Sequence, residues 1–342
     1  MKLLSYADAG GLPRVAALLA DGTQVADLAR AAQRAGDPQP ATYAAMQALI
    51  EGGDAAVERA SRLLESARAD EATVPLAGLK LLSPVPRPLS LRDCVGFLPH
   101  LVNSARNSVF GPAMRRIDIA YERLTGQSLV RRMAPTAWER PVYYLINVCT
   151  VVGHDADVTI PPYTREMDYE LEWAACIGRA GRDIPAARAR EHIFGYTIFN
   201  DFTARDVQFE EAKGRLGFQK SKSFDGGNVL GPCLVTSDEI PDPYDLDMRA
   251  SVNGVEWSRG NTGQRDWSFE EMIAFMSRSE TLQPGEFIAS GTLPGGCGLE
   301  LGRRLHAGDV VELSVEKIGT LRNRLVSGGT YEALPLRQAS TT

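Results

Sequence analysis

The sequence predicts a mainly β fold with flanking helices (α+β), divided into a small N-terminal domain over residues 1–85 and a larger domain over 86–335. Three observations carry that prediction. Asn253-Gly254 in "SVNGVEWS" lies between alternating residues, and this dipeptide readily supplies the two positive φ values that a tight hairpin needs. "LQPGEFIASGT" and "HAGDVVELSVEKIGTLRNRLVS" read as strands joined by Pro-Gly and Ala-Gly turns. The Ala-rich stretch "PATYAAMQALIEGGDAAVERASRLLESARAD" sets its apolar residues at helical spacing, and it precedes residue 80. This is not the pattern of a doubly wound parallel sheet.

Taken in chain order, "RVAALLADGTQVADLA" reads as a hairpin turning at Asp21-Gly22, and the Ala-rich helical stretch follows it. "LLSPVPRPLS" holds Pro84, Pro86 and Pro88, which can continue neither a helix nor a central strand, and this sets the boundary at residue 85. From about residue 90 the pattern is strand-rich with a few helices. One of these opens at Ser268, where Glu271 three residues on completes a capping-box spacing.

Composition excludes several classes of function. With 342 residues, 44% of them hydrophobic, the chain can bury a large core. Its 37 basic residues against 43 acidic ones give a formal charge of −6 with no long Lys/Arg run, so nucleic acid is not an expected partner. The start "MKLLSYADAGGLPRV" breaks into Asp and Gly, and no apolar run approaches the ~18 residues of a membrane span. A soluble cytoplasmic protein without membrane contact is expected. Cys94, Cys149, Cys176, Cys233 and Cys297 are scattered without a C-x-x-C pair, which suggests neither a disulfide framework nor a thiolate zinc site.

Charge enters the apolar pattern at "DYELEWAACIG", where Asp168, Glu170 and Glu172 occupy every second position. Residues two apart in a strand share a face about 6.5–7 Å apart, so Glu170 and Glu172 repel unless a counter-cation sits between them. A solvent-facing edge stripe is the other reading of this segment alone. "GYTIFNDFTARDVQ" ends an apolar strand at Asn200-Asp201, where Asp201 suits either a turn cap or a ligand. "LRDCVGFLPHLVNSARN" sets Asp93 seven residues before His100, and "KSKSFDGGNVLGP" and "IASGTLPGGCGLEL" are Gly-rich loops carrying Lys222, Thr292 and Glu300.

These pieces, in this order, resemble the fumarylacetoacetate hydrolase family, with the likeness running from about Asp93 to Arg324. It rests on "DYELE", "GYTIFNDFTARDVQ", "KSF", "LGPCLVT", "VNGVEWSRGNT", "TLQPGEFIASGT" and "GDVVELSVEKIGTLRNR". The resemblance implies a β-sandwich or roll of the family's type after the small N-terminal α+β domain. It implies Asp93, Glu170, Glu172 and Asp201 as metal ligands, an all-oxygen set suited to Mg²⁺, or to Mn²⁺ or Ca²⁺. It implies a catalytic dyad of His100 and Glu300 that activates water, and Arg205 and Lys222 as further catalytic groups. Tyr144, Gln208 and Thr292 would contact substrate, a small keto acid, in a homodimer.

The implied reaction is metal-dependent hydrolysis of a C–C bond in a β-diketo acid of the acylpyruvate or fumarylacetoacetate type, as in aromatic catabolism. Relatives that decarboxylate oxaloacetate-like acids, dehydrate keto-deoxy sugar acids or isomerise catabolites share the enolate chemistry, and a non-catalytic metal protein is the remaining alternative. For Arg205 the competing role is an ion pair with Asp201 or Asp206, and for Tyr144 it is core packing. His154, His192 and His306 are expected to be structural. Pro99 before His100 points to a helix or loop start there. The Gly- and Lys-rich loop from Gln208 to Asn228 is a candidate lid over substrate.

Overall fold

The computed structural model describes residues 1–67 and 72–329, and the expected end of the second domain at residue 335 lies outside them. The fold is mixed α+β, mostly sheet with flanking helices. Across the larger sheet the strands run Thr73–Pro75, Gln24–Asp27, Pro13–Leu18, Lys2–Ala7, Asn228–Thr236, Ile193–Asp201, Leu171–Ile177, Phe287–Ala289, Leu91–Cys94 and Tyr143–Leu145. Neighbours in that order are antiparallel, except that Phe287–Ala289 and Leu91–Cys94 run parallel. The smaller sheet runs Val255–Asn261, Asp247–Val252, Val310–Val315, Gly319–Ser327 and Asp157–Ile160, the last pair parallel. Lys2 pairs with Val235, so the sheet hydrogen bonding runs across the proposed division at residue 85.

Strand alternation sorts the larger sheet's side chains between two apolar layers. Trp173, Ala175, Tyr196 and Ile198 pack with Met248, Leu313 and Leu321 of the smaller sheet. Ala174, Cys176, Phe199 and Leu230 face the other way, onto Leu28, Leu49 and Ile50 of the N-terminal helices. Both faces are covered, which is why these strands read as continuous apolar runs, and each large side chain so buried contributes ~1.5–3 kcal/mol. By strand alternation Glu172 and Asp201 share the face of Ala174 and Phe199.

The local signals hold. Asn253 and Gly254 have φ of 52° and 76°, as the hairpin requires. Asp21 accepts from the backbone N–H groups of Thr23 and Gln24 at the first hairpin, and Ser268 and Glu271 form both arms of the capping box. The strand-rich expectation fails between residues 98 and 139, where the chain forms helices Leu98–Ser108, Pro112–Thr125, Val130–Met133 and Thr136–Glu139. The reason is physical. Helix Pro112–Thr125 buries only Asp118, which takes Arg106 of the preceding helix at 2.6 Å and the N–H of Leu129 at 2.6 Å. Met114, Ile117 and Leu124 stand at helical spacing on that helix but are exposed, so the unit is pinned by a polar anchor and not by a buried apolar face. Among the described residues no helix is long and apolar enough to cross a membrane. All five cysteines are free.

Candidate active site

Asp93 lies in strand Leu91–Cys94, directly opposite Tyr144 and beside Ala289. Glu172 lies in strand Leu171–Ile177, and Asp201 closes strand Ile193–Asp201 next to it in the sheet. Glu170 precedes the Glu172 strand, where its backbone N–H donates to the Asn200 side chain at 3.1 Å. One carboxylate oxygen from each of these four residues lies within 4.8 Å of the others, and all four are buried. Asp93 Oδ1 and Asp201 Oδ1 have no hydrogen-bond partner.

Two cations serve this cluster. Lys222, 1% exposed, donates to Glu170 Oε2 and Asp201 Oδ2, both at 2.5 Å. Arg205 is 2.8 Å from Glu170 Oε1 and 2.8 Å from Asp168 Oδ2, and it also donates to Gln208 Oε1 at 3.0 Å. Arg205 is therefore an ion-pair residue, with Asp168 and Glu170 as partners in place of Asp201 or Asp206. Burial and mutual repulsion push Glu172 and Asp93 upward, and Asp201 up to about 8. Burial raises Glu170 as well, but Lys222 and Arg205 overcome it and hold this carboxyl below its usual range. Five buried carboxylates, counting Asp168, face two cations, and two of their oxygens are orphaned. The donor set fits a hard divalent cation.

Asp201 is not a turn cap, since its carboxylate takes Lys222 and the Tyr144 hydroxyl. Glu172 accepts from the N–H of Gly291 at 3.0 Å and from the Thr292 hydroxyl at 3.2 Å. Gly291 has φ of 79°, and a Cβ there would stand 2.1 Å from the Cys94 carbonyl, so this contact needs glycine. Tyr144 and Thr292 thus spend their hydroxyls on carboxylates of the cluster, while both still line the cavity above it.

His100 sits in the first turn of helix Leu98–Ser108, where Pro99 costs no intrahelical hydrogen bond. The helix start is held by Asp266, which accepts from the Leu98 N–H at 2.7 Å. His100 Nδ1 is 2.6 Å from Glu300 Oε1, and Nε2 lies 3.9 Å from Glu170 Oε1, facing the cluster. Glu300 also accepts from Asn103 Nδ2 at 2.8 Å and from the Gly295 N–H at 3.0 Å. The cavity over these groups measures about 280 Å³ and brings together Asp93, His100, Tyr144, Glu170, Glu172, Arg205, Gln208, Lys222 and Thr292. Asp201 lies beneath it through Lys222, and Glu300 behind it through His100.

Asp168 and Gly295 escape the sequence reading. Asp168 caps the N–H groups of Gly298 at 2.7 Å and Leu299 at 2.9 Å while holding Arg205, and so ties the Glu300 turn to the cluster. Its place in the "DYELE" alternation was the available signal, although that alternation points to a shared face and not to this anchor. His154, His192 and His306 lie elsewhere; His154 and His192 each bond one backbone group and His306 is exposed.

Residues 115–326 match the family described as fumarylacetoacetate (FAA) hydrolase, C-terminal. The chain belongs to the fumarylacetoacetate hydrolase family. It is 30% identical over 315 residues to a mitochondrial oxaloacetate tautomerase of Xenopus laevis, spanning 92% of this chain and 86% of that one. A fumarylacetoacetate hydrolase structure from Exiguobacterium antarcticum superposes with a TM-score of 0.68 at 26% identity, over 96% of this chain and 100% of the other. The manganese and pyruvate complex of a Sphingobium maleylpyruvate hydrolase shares the fold, with a TM-score of 0.67 at 24% identity over the same shares. The matched family segment begins after Asp93 and His100, whose place in the site rests on the geometry given above.

Proposed function

We propose that this chain is a metal-dependent hydrolase that cleaves a C–C bond in a β-diketo acid of the acylpyruvate or fumarylacetoacetate type. The observation that carries this reading is the His100–Glu300 contact of 2.6 Å with the imidazole's other nitrogen turned to the carboxylate cluster. Asp93, Glu170, Glu172 and Asp201 would hold Mg²⁺, or Mn²⁺ or Ca²⁺. When bound, such an ion supplies Lewis-acid polarisation of a 1,3-dicarbonyl and offsets negative charge that develops there.

The chain's own residues do the proton work. With Glu300 accepting the Nδ1 proton, His100 Nε2, which has the Ser104 hydroxyl at 3.5 Å, carries the lone pair, and it takes a proton from water as the water oxygen attacks the acyl ketone carbon. The bond between that carbon and the adjacent methylene then breaks, its electrons stay on the methylene, and the proton held at Nε2 passes to the methylene carbon, making it a methyl group. The products are a carboxylic acid and pyruvate or its homologue. Lys222 and Arg205 fix the carboxylates, and Gln208, its oxygen bound to Arg205, has its amide N–H₂ left to donate to a substrate oxygen. A homodimer and a keto acid ligand belong to the same proposal.

A second reading is favoured by one observation, the likeness to an oxaloacetate tautomerase over 92% of the chain. Here His100 Nε2 would move a proton between carbon and oxygen of a 2-oxo acid without water attack. The test is turnover of acylpyruvates, fumarylacetoacetate and oxaloacetate with Mg²⁺ or with EDTA, on the wild type and His100→Ala. Metal-dependent release of a carboxylic acid, lost in the variant, is the expected result. Faster oxaloacetate tautomerisation with no acid release from any diketone would replace the hydrolase reading with the second.

A further inference from the structure

The cavity above the cluster has two unlike ends. All its charged groups, Asp93, His100, Glu170, Glu172, Arg205 and Lys222, are at the metal end. The far wall is mostly apolar, built from Leu101 and Ala105 on the His100 helix and Val109 at its C-cap, with Ser104 and Ser108 among them, and from Phe209, Ala212 and Phe218 opposite. Leu101, Ala105 and Val109 follow one another at i, i+4 and i+8, so they form a stripe running away from the dyad. Val109 lies nine residues past His100, roughly 13 Å along the axis at 1.5 Å per residue. Phe218 joins the two ends, its ring edge-on to Tyr144 at 5.6 Å between centroids.

No cation among the described lining residues serves that far wall. Arg205 and Lys222 are committed to Asp168, Glu170 and Asp201. Nearby Lys213 faces Glu210, Lys220 lies over the Tyr163 ring, and Arg106 is held by Asp118 and Glu122. A second carboxylate placed there would lie against apolar side chains with no cation to pair with, and the hydroxyls of Ser104 and Ser108 are the polar groups of that helix face.

Resting on the keto acid reading above, we propose that the substrate's acyl group is uncharged and apolar, aliphatic or aromatic, and lies along Leu101, Ala105 and Phe218. The enzyme then prefers acylpyruvates with a hydrocarbon tail over diacids of the fumaryl or maleyl kind. Ala105 and Val109 are the specificity-determining positions of that wall.

Two measurements test this. Calorimetric binding in Mg²⁺ compares 2-oxoheptanoate with 2-oxopimelate, which have the same carbon count and differ in a terminal methyl or carboxylate. The methyl compound is expected to bind about tenfold tighter or better, and Ala105→Arg should narrow or reverse the ratio. Val109→Arg, at a position 61% exposed, repeats the test should Ala105→Arg fail to fold. Equal binding, tighter binding of 2-oxopimelate, or no binding of either overturns the proposal. Turnover of hexanoylpyruvate against fumarylpyruvate then separates the two claims. Preference for fumarylpyruvate overturns the apolar tail and leaves the hydrolase standing; tail discrimination in binding with no hydrolysis of either leaves the tail standing and removes the hydrolase.

Discussion

Glu300 stands apart from the four carboxylates that face one another. It is held by His100, by Asn103, by the Gly295 N–H and by the Cys297 thiol, four donors that fix its position without any of them belonging to the four-carboxylate set. Its proposed role is to orient the imidazole and support its positive charge during proton transfer, which gives a separable prediction. Glu300→Gln should lower kcat by about 10²–10⁴-fold while Mn²⁺ affinity, followed by calorimetry, stays within a factor of ~3, well under the tenfold that ~1.4 kcal/mol represents. Loss of metal binding in step with activity would show that Glu300 holds the cluster and not the base. At this scale the sequence was informative through the family resemblance, whose motifs come in short fixed spacings: Asp93 seven before His100 and Glu170 two before Glu172. Asp168 has the same spacing to Glu170, yet it ends up anchoring Arg205 and the Gly298 turn, since spacing carries no information about which partner wins a carboxylate.

At the scale of elements, the same contrast explains the "DYELE" segment. A single strand would put Asp168, Glu170 and Glu172 on one face, but the pairing changes partners within it. Met167–Asp168 pairs with Thr203–Ala204, Glu170 bridges Cys297, and the long strand begins at Leu171. Long-range pairing of this kind is invisible to local periodicity, and so is the buried aspartate that anchors the helical unit over 98–139, although Met114, Ile117 and Leu124 there do stand at helical spacing. The candidate lid is also divided. Its first part is helix Arg205–Gly214, and its last part is clamped by Glu211, which accepts from the N–H groups of Gln219, Lys220 and Ser221 and from the Ser221 hydroxyl. The stretch around Leu216, 93% exposed, lies outside that clamp. Because the clamp adjoins Lys222, Glu211→Ala is expected to speed tryptic cleavage after Lys220 on the order of tenfold, as loss of several bonds to one charged acceptor implies. An unchanged cleavage rate would mean that the loop is held by other contacts, Phe218 on Tyr144 among them.

Across the whole molecule, the site exists only when distant segments close around it. Asp93 and His100, Glu170 and Glu172, Asp201 and Lys222, and Glu300 come from four stretches of chain, joined by a sheet that runs from the first strand to Phe287–Ala289 and beyond. Hairpins and caps were legible because each is decided within a few residues, whereas the sheet order depends on pairings such as Lys2 with Val235 that no window contains. Bringing these carboxylates together has a cost that depends on pH. Burial and repulsion raise Asp201 to about 8, and they raise Asp93 and Glu172 in the same direction. An unfolded aspartate titrates near ~3.9. Between those values the metal-free folded chain holds protons that the unfolded chain has released, so stability without a cation falls as pH rises through that window. Glu170 has the opposite shift, and its contribution is complete before neutral pH is reached. A divalent cation removes the penalty by binding the deprotonated form, and at about 100 times its Kd it adds ~2.7 kcal/mol to the folded state. The increase in Tm on adding Mg²⁺ or Mn²⁺ to EDTA-treated protein should therefore be larger at pH 8.5 than at pH 6, and Asp201→Asn should shrink that difference. Equal increases at the two pH values, or none at either, would mean that the cluster is neutralised from within by Lys222 and Arg205 and that no cation is needed to close the fold around it.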